Sequence, residues 1–300
     1  MPATPRFLTS RQLADSLGVS ESSVKRWVDD GSIAADRTAG GHRRIPLAEA
    51  IGYIRRQRAT LSKPHLLPLE TAPQIGGVDG AAAQKLLDAM VCDRSAEARA
   101  IISGRYLGGA GIASIADNLI RPVLHELGDL WHHGPEGILL EHRAVDTCVH
   151  ALTEIGSWLP SVPDSAPAAV TAGGPGDPYL LPPMLASLVL RECGIRAHNL
   201  GPSTPLETVG LAMSKYGARL CTISISSPPG PRSEATWLAL EQAVADMGGR
   251  ILMGGRSCAA LPEKVRERVR ARDSMTELAA YATGWLEGVV RAKPRKERRS

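Results

Sequence analysis

The sequence lacks an apolar run long enough to cross a membrane. Its longest apolar runs, such as "LLPPMLASLVL", are interrupted by proline and fall far short of the roughly 20 residues that a membrane helix needs. The N-terminal stretch "MPATPRFLTSRQ" also lacks the apolar core of a secretory signal. We therefore expect a cytoplasmic protein with no membrane partner.

Cysteine motifs and the common enzyme motifs are missing as well. The five cysteines are scattered and never spaced as Cys-x-x-Cys, which excludes a zinc knuckle and a disulfide framework and indicates a reducing compartment. There is no P-loop, no Ser-His-Asp order and no Gly-x-Gly-x-x-Gly after a predicted strand. We therefore expect no catalytic residues and predict that the protein is not an enzyme.

The net charge of +4 is unevenly distributed. Residues 1–60 hold ten Lys/Arg and six Asp/Glu, the last ten residues hold six and one, and the middle holds 19 and 24. Basic ends around an acidic middle indicate a polyanionic partner at the ends. The basic tail, taken alone, is equally typical of a solvated chain end.

The segment "FLTSRQLADSLGVSESSVKRWVDDGSI" predicts two short helices joined by a tight turn. We expect Ser10 and Ser20 to cap the helices, Gly18 to allow the turn and Val19 to fill the corner. The apolar faces are predicted to hold Leu8, Leu13, Ala14 and Leu17 in the first helix and Val24, Trp27 and Val28 in the second. The outward residues of the second helix suit contact with base edges and phosphates; they are Ser22, Ser23, Lys25 and Arg26.

A basic hairpin is predicted directly after these helices. In "RTAGGHRRIP", the adjacent glycines permit a tight hairpin between Ile33 and Ile45. It displays His42, Arg43 and Arg44, which can grip phosphate or enter a minor groove. Together with the two helices, this pattern resembles the MerR/excisionase-type winged helix-turn-helix family over residues 6–58. The resemblance implies binding to double-stranded operator DNA.

The rest of the chain shows two further patterns, separated by proline-rich breaks at 61–80 and 159–169. Over 80–158, leucine, isoleucine and valine recur at helical spacing in several runs, as in a four-helix bundle. Over 167–290, strand-type and helical runs alternate, which predicts a parallel doubly wound sheet. In such sheets, ligands bind beyond the carboxyl ends of the strands.

Within the helical pattern, Trp131 is followed by nine residues and then by Glu141 and His142. These side chains offer an aromatic plane and two hydrogen-bonding groups that can face a cavity; the alternative is a core tryptophan beside a solvated histidine. The arrangement resembles the CarH/LitR family of light-responsive, cobalamin-binding repressors. There, such Trp, Glu and His side chains cap the adenosyl group. A His after the Trp, here His132, takes the upper cobalt position after photolysis, so we expect metal ligation by His132 only with cobalt or iron bound.

The last pattern is similar to the signature of cobalamin-binding Rossmann-like domains, Asp/Glu-x-His-x-x-Gly followed at long spacing by Ser-x-Leu and Gly-Gly. Here the matching stretch "DPYLLP" is followed, after residues 183–223, by "SIS" and, after residues 227–253, by "GG". The resemblance implies a strand-end loop for the corrin, a small hydroxyl residue beside the nucleotide tail and close backbone approach at the glycines. The cofactor-binding positions it implies are Asp177, Tyr179, Ser224, Ser226, Gly254 and Gly255.

The centre of that signature departs from the family. Tyr179 replaces the histidine that ligates cobalt from below, and a phenol with a pKa near ~10 is a poor cobalt ligand beside an imidazole. Pro182 replaces a glycine and adds a ring where the family has open space. His198 lies in a predicted strand, and we do not expect it to substitute. We therefore predict that the mode of binding through a histidine ligand is lost.

Three roles are open for the domain that carries this signature. It binds cobalamin without a protein lower ligand, it binds another tetrapyrrole or small ligand, or it binds no ligand and serves oligomerisation. We predict a DNA-binding transcriptional repressor that works as a homo-oligomer, either a dimer or a tetramer. Its C-terminal domain either binds a small-molecule effector other than histidine-ligated cobalamin or serves only for oligomerisation. The alternatives are a light-responsive adenosylcobalamin-dependent repressor, a cobalamin carrier module of an enzyme and an architectural DNA protein.

The predicted fold class is multidomain, α and α/β. Its parts are a winged helix-turn-helix domain over 1–60, a linker over 61–79, a four-helix bundle over 80–160, a cobalamin-binding-like Rossmann domain over 166–290 and a basic tail over 291–300.

Overall fold

A computed structural model describes residues 6–71, 73, 79–130, 134–228 and 234–292. The chain divides into two compact units, Met1–Pro160 and Ser161–Ser300. None of the helices in the described ranges is long and apolar enough to span a lipid bilayer. The predicted tail begins at the end of the last described helix, and its residues from 293 onward lie outside the described ones.

The N-terminal domain, residues 6–58, combines helices with a small antiparallel sheet. Strand β3 lies between β1 and β2 in that sheet. Strands β2 and β3 form the basic hairpin, which we define as residues 36–46, with Arg37 opposite Arg43 and Asp36 opposite Arg44. The elements are β1 Phe7–Leu8, α1 Ser10–Leu17, α2 Glu21–Asp29, β2 Asp36–Arg37, β3 Arg43–Pro46 and α3 Leu47–Gln57.

The turn between α1 and α2 differs from the prediction in two details. Thr9, not Ser10, caps α1: its hydroxyl accepts from the N–H of Gln12 at 3.1 Å, and its own N–H donates to the Gln12 side chain at 2.9 Å. This reciprocal box satisfies two free backbone donors, and Ser10 is instead a buried first residue of the helix. Val19 is 38% exposed, so the prediction that it fills the corner is wrong. Gly18 has the left-handed backbone expected of the turn, with φ 72°.

Helices make up the described part of residues 79–158, which we call the helical region. A π-helical stretch, Ala116–Ile120, continues α6 into α7. Leu86, Ile102, Ile115 and Leu152 are among the buried side chains, as helical spacing predicts. The helices are α4 Asp79–Val91, α5 Ser95–Leu107, α6 Ile112–Ile115, α7 Arg121–Leu130 and α8 Pro135–Trp158.

The first part of the segment predicted as a linker is packed against the N-terminal domain. Leu61 and Leu67 are buried, and the N–H of Lys63 donates to the carbonyl of Ser16 at 3.0 Å. Residues 72 and 74–78 of this segment lie outside the described ones. Residues 61–71 thus contain two buried leucines and are hydrogen-bonded to the end of α1 through Lys63.

The C-terminal domain is built on parallel strands, in agreement with the predicted alternation. Five strands of the described residues pair in the order β5-β4-β6-β7-β8, all in parallel. The strands are β4 Ala168–Gly173, β5 Arg196–Asn199, β6 Leu220–Ser224, β7 Arg250–Gly254 and β8 Arg270–Ala271. The helices are α9 Leu181–Glu192, α10 Leu206–Tyr216, α11 Glu234–Asp246, α12 Glu263–Arg268 and α13 Met275–Ala292.

One face of this sheet is covered by α10 and α11. Val170, Ile223 and Met253 of the strands share an apolar cluster with Val209 of α10 and Trp237 of α11. Helix α9 contacts β4, β5 and β6 as well as α13. From β4 the chain passes first to β5 on one side and then to β6 on the other side, so the direction in which strands are added reverses at β4. A doubly wound sheet binds ligands at such a reversal, beyond the carboxyl ends of its strands.

Candidate functional sites

Helix α2 presents the polar face that the sequence predicts. Ser20 caps the helix, with its hydroxyl accepting from the N–H of Ser23 at 3.2 Å. The Ser20 oxygen also lies 2.8 Å from the Ser22 hydroxyl and 2.9 Å from the Ser23 hydroxyl. Both predicted contact serines are therefore tied to the cap in the free protein. Ser22 is exposed and Ser23 is half-buried.

The two predicted basic residues of α2 are both exposed. Lys25 forms an ion pair of 2.9 Å with Glu21, one helical turn earlier. The hydrogen bond from Lys25 lowers the pKa of the Glu21 carboxyl. An exposed pair of this kind is weak, since salt screens it and side-chain entropy opposes it. The Lys25 ammonium is thus free to exchange its partner for a phosphate.

The turn of the basic hairpin exposes His42. Gly41 adopts φ 77°, and the N–H of Thr38 donates to the carbonyl of His42 at 3.0 Å. Arg44 is exposed, and its guanidinium lies 4.2 Å from the ring centroid of Phe7, the only phenylalanine of the chain. Stacking on a ring orients the Arg44 side chain without consuming its hydrogen-bond donors.

Arg43 has a different environment from the other predicted contacts. Its side chain is 19% exposed and pairs with Asp29, the last residue of α2. The Nη2 atom lies 2.8 Å and 2.7 Å from the two carboxylate oxygens, and Nε lies 3.3 Å from Oδ1. Arg37 also reaches Oδ1 of Asp29, at 3.0 Å. Asp29 was not among the residues predicted from the sequence; the acidic end of a helix next to a basic hairpin is the signal that points to it.

The proposed adenosyl-capping residues are only partly described. Trp131 and His132 lie outside the described residues. Glu141 is half-buried and His142 is exposed, both in the N-terminal third of α8. Ile138 and Leu139 of the same helix are 41% and 59% exposed. The capping arrangement therefore stays a prediction.

At the carboxyl ends of the strands, Asp177 joins the predicted cofactor-binding loops. This residue is 2% exposed. Its Oδ2 accepts from the N–H of Ser226 at 2.6 Å, and its Oδ1 accepts from the N–H of Tyr179 at 3.2 Å. The N–H of Gly174 donates to the carbonyl of Ser224 at 2.8 Å. The structure thus brings together the loops after β4 and β6.

The glycine pair after β7 also lies at this edge of the sheet. The carbonyl of Gly254 accepts from the N–H of Ile225 at 2.7 Å. Gly255 has φ 114°, and a Cβ atom on it would lie 2.5 Å from the carbonyl oxygen of Ile225. Glycine is required here by the protein's own backbone, because any side chain would collide with the loop after β6.

Arg256, which the sequence analysis missed, connects these loops. Its Nη2 donates to the hydroxyl of Tyr179 at 2.8 Å, and its Nε donates to the carbonyl of Ser226 at 2.9 Å. Its guanidinium carbon lies 5.4 Å from the Tyr179 ring centroid. Pro182 is half-buried in the first turn of α9. The only sequence signal for Arg256 is its position directly after the glycine pair.

These residues do not fit cobalamin held by a protein lower ligand. Both carboxylate oxygens of Asp177 already accept backbone N–H groups, and the Tyr179 hydroxyl is held by Arg256. The Cδ1 atom of Ile225 lies 2.6 Å from the place where a Cβ on Gly174 would stand, so its side chain covers that glycine. His198 lies in β5 and stacks on Tyr216, with ring centroids 3.8 Å apart.

Comparison with known proteins identifies similarities in both parts of the chain. Residues 7–58 match the family model of the helix-turn-helix domain. The monomethylamine corrinoid protein of Methanosarcina barkeri is similar over 69% of this chain and 100% of its own, with 17% identity and a TM-score of 0.50. A cobalamin-binding protein from Desulfitobacterium hafniense DCB-2 is similar over 71% and 98%, with 15% identity and a TM-score of 0.33. No curated protein sequence matches the chain.

At this level of identity, the likeness to the corrinoid protein concerns the fold. It agrees with the parallel sheet and with the helices that precede it. The chain therefore combines an N-terminal helix-turn-helix domain with a fold similar to that of a corrinoid protein.

Proposed function

We propose that the protein is a DNA-binding transcriptional regulator, a repressor, rather than an enzyme. The observation that carries the proposal is the helix-turn-helix match over residues 7–58, together with the exposed cations on α2 and on the basic hairpin. Helices of this type place their N-terminal residues against base edges, while arginines and lysines hold phosphates. Of the basic residues predicted from the sequence to contact DNA, Lys25, Arg26, His42 and Arg44 are exposed.

The proposed repressor acts as a homo-oligomer, a dimer or a tetramer. A single domain of this size covers only about 600–1,000 Å² of DNA contact. Two such domains on paired half-sites gain affinity because the second binding event becomes intramolecular. Measurement of the mass of the protein by light scattering, free and on operator DNA, tests this part of the proposal; a monomer in both states contradicts it.

The C-terminal domain is proposed to bind a small-molecule effector other than histidine-ligated cobalamin, or to serve oligomerisation. The network of Asp177, Tyr179 and Arg256 supports this choice, because it occupies the groups that would hold an axial imidazole. An absorbance spectrum of the protein purified from its native host separates the versions. A corrin, haem or bilin band identifies a tetrapyrrole, and a colourless protein favours another ligand or none.

The DNA-binding part is tested with the full chain. A pool of random duplexes is enriched for an operator, and binding to operator and random duplex is then measured for three variants. We expect Lys25→Ala and Arg26→Ala to cost more on the operator than on random DNA. Arg44→Ala should weaken both and reduce the salt slope by about one unit. Lys85→Ala, an exposed lysine of α4, is the matched control. Failure to enrich any sequence, or unchanged affinity in all three variants, would refute the proposal.

A further inference from the structure

The basic hairpin places two arginines directly opposite each other. Arg37 of β2 and Arg43 of β3 are cross-strand partners in the antiparallel pair. Like charges at opposed positions destabilise a pair of strands. Strand β2 is only two residues long, so the hairpin has few backbone hydrogen bonds with which to offset that repulsion.

Asp29 offsets the repulsion between these two arginines from outside the hairpin. Its carboxylate bonds both guanidinium groups, and the hydrogen bond from Arg43 is the largest influence that lowers the pKa of the carboxyl. The carboxylate therefore stays ionised in neutral solution. Because Asp29 ends α2, the same contact joins the hairpin to the end of the helix that presents Lys25 and Arg26.

The two arginines are held to very different degrees. Arg43 contributes two nitrogens and is 19% exposed, whereas Arg37 makes one bond of 3.0 Å and is 57% exposed. An arginine bonded to both oxygens of a carboxylate is fixed in distance and in orientation. Arg37 can leave its partner at little cost, since a single exposed ion pair is weak.

We propose that Asp29 is a positioning residue, which fixes the basic hairpin against α2 so that helix and hairpin meet DNA in one geometry. In this arrangement Arg43 is the anchor of the hairpin and makes no phosphate contact, while Arg37 turns outward to a phosphate. The inference deepens the proposed function and rests on it. It differs from the expectation that Arg43 belongs to the phosphate-contacting set.

The proposal separates affinity from specificity. Asp29→Asn removes a negative charge beside DNA, so binding to random duplex should strengthen, because electrostatics dominates non-specific binding. Base contacts need the helix in register, and that register depends on where the hairpin grips the backbone. The ratio of operator to random affinity should therefore fall, by about tenfold, the size of one lost base contact.

A double-mutant cycle in the full-length protein tests this claim. Asp29→Asn and Arg43→Gln should each lower the operator-to-random ratio, and the double variant should lower it no further, because both remove one contact. Arg43→Lys keeps the charge but not the two-oxygen geometry, so it should also lower the ratio. Asp15→Asn, an exposed aspartate of α1, is the matched control and should leave the ratio unchanged.

Salt dependence distinguishes the two arginines. Arg37→Gln should reduce the slope of log affinity against log salt by about one unit, and Arg43→Gln should leave it unchanged. If Arg43→Gln reduces the slope and keeps the ratio, Arg43 is a phosphate contact and the proposal is wrong. If Asp29→Asn lowers the ratio but Arg43→Gln does not, Asp29 reads a base itself, which also overturns the proposal.

A second measurement needs no DNA. In the free protein, Asp29→Asn should increase amide hydrogen exchange at Thr38, whose N–H donates within the hairpin turn to His42, by at least about tenfold relative to amides of α1. Unchanged exchange at Thr38 refutes the positioning role even if the protein fails to bind DNA. Failure of wild-type binding with increased exchange refutes the proposed function alone.

Discussion

The backbone N–H of Glu70 donates a hydrogen bond of 2.7 Å to the carboxylate of Glu154, a residue that is 6% exposed. Glu154 lies in α8, and Glu70 lies in the segment that follows the N-terminal domain. Arg6, directly before β1, bonds the carbonyl of Pro68 at 2.9 Å and the Glu70 carboxylate at 3.3 Å. One buried carboxylate thus links the helical region to the segment that holds the first strand of the DNA-binding domain.

Glu154 should make stability depend on pH in an unusual direction. Burial raises the pKa of its carboxyl above the ordinary 4.5. The hydrogen bond from the N–H of Glu70 lowers this pKa, the negative charge of the Glu70 side chain raises it, and Arg6 and Arg99 lower it. Between the unfolded and the folded pKa, the folded state binds more protons. The contribution of Glu154 to the free energy of unfolding therefore falls as the pH rises through that window. Glu154→Gln keeps an acceptor for Glu70, so it should gain stability over wild type at pH 7, and the gain should vanish toward pH 4.

Urea unfolding of wild type and Glu154→Gln at several pH values measures this difference. Glu154→Leu also removes the acceptor, so it should be less stable than Glu154→Gln by about 1 kcal/mol at every pH, since one backbone donor loses its partner. Glu126→Gln, an exposed glutamate of α7, is the matched control and should follow wild type. A gain in stability for Glu154→Gln that grows toward acid pH would contradict the raised pKa of Glu154.

A pair of glycine variants tests the close approach at the carboxyl edge of the sheet. Gly255→Ala should destabilise the protein by at least about 2 kcal/mol, because the residue has φ 114° and the new Cβ meets the Ile225 carbonyl. Gly284→Ala lies in α13 with no atom within 4 Å of the new Cβ. It should stabilise the protein by about 0.5–1 kcal/mol, since glycine costs that much inside a helix. Urea denaturation measures the free energy of unfolding of both variants. Equal effects would show that the backbone at Gly255 can move away from Ile225 at little cost.

The alternation of runs predicted the parallel sheet well, because its central strands are covered on both faces and are apolar along their length. The Ser20 cap and the Gly18 turn were also predictable, since each depends on groups a few residues away. Ser10 was misassigned because its neighbour Thr9 takes the capping role. Val19 was misassigned because an apolar residue in a turn does not have to be buried. Arg256 and Asp29 act across strands and helices, so their partners depend on tertiary register that no local pattern contains. The segment 61–71 has the composition of a linker, yet Leu61 and Leu67 are buried by the fold.

The full-length protein should fail to retain adenosylcobalamin. We expect no corrin absorbance after the protein is mixed with adenosylcobalamin in the dark and desalted. The Tyr179 hydroxyl is held by Arg256, and both oxygens of Asp177 accept backbone N–H groups, so no residue of this loop is free to serve as the axial ligand. Stoichiometric retention of the corrin, with release from the operator on green light, would prove the prediction wrong.

Variants of the same loop test whether cobalamin binding is prevented by the missing histidine or by the hydrogen bonds around Asp177. Tyr179→His with Pro182→Gly introduces the axial group and the small residue, but it leaves Asp177 bonded to Ser226 and Ile225 packed over Gly174. We therefore expect the double variant to retain less than one corrin per chain. Arg256→Ala should free the Tyr179 ring and give no retention either, because a phenol is a poor cobalt ligand beside an imidazole. Full retention by the double variant would mean that the histidine alone was missing and that the Asp177 network yields to the cofactor.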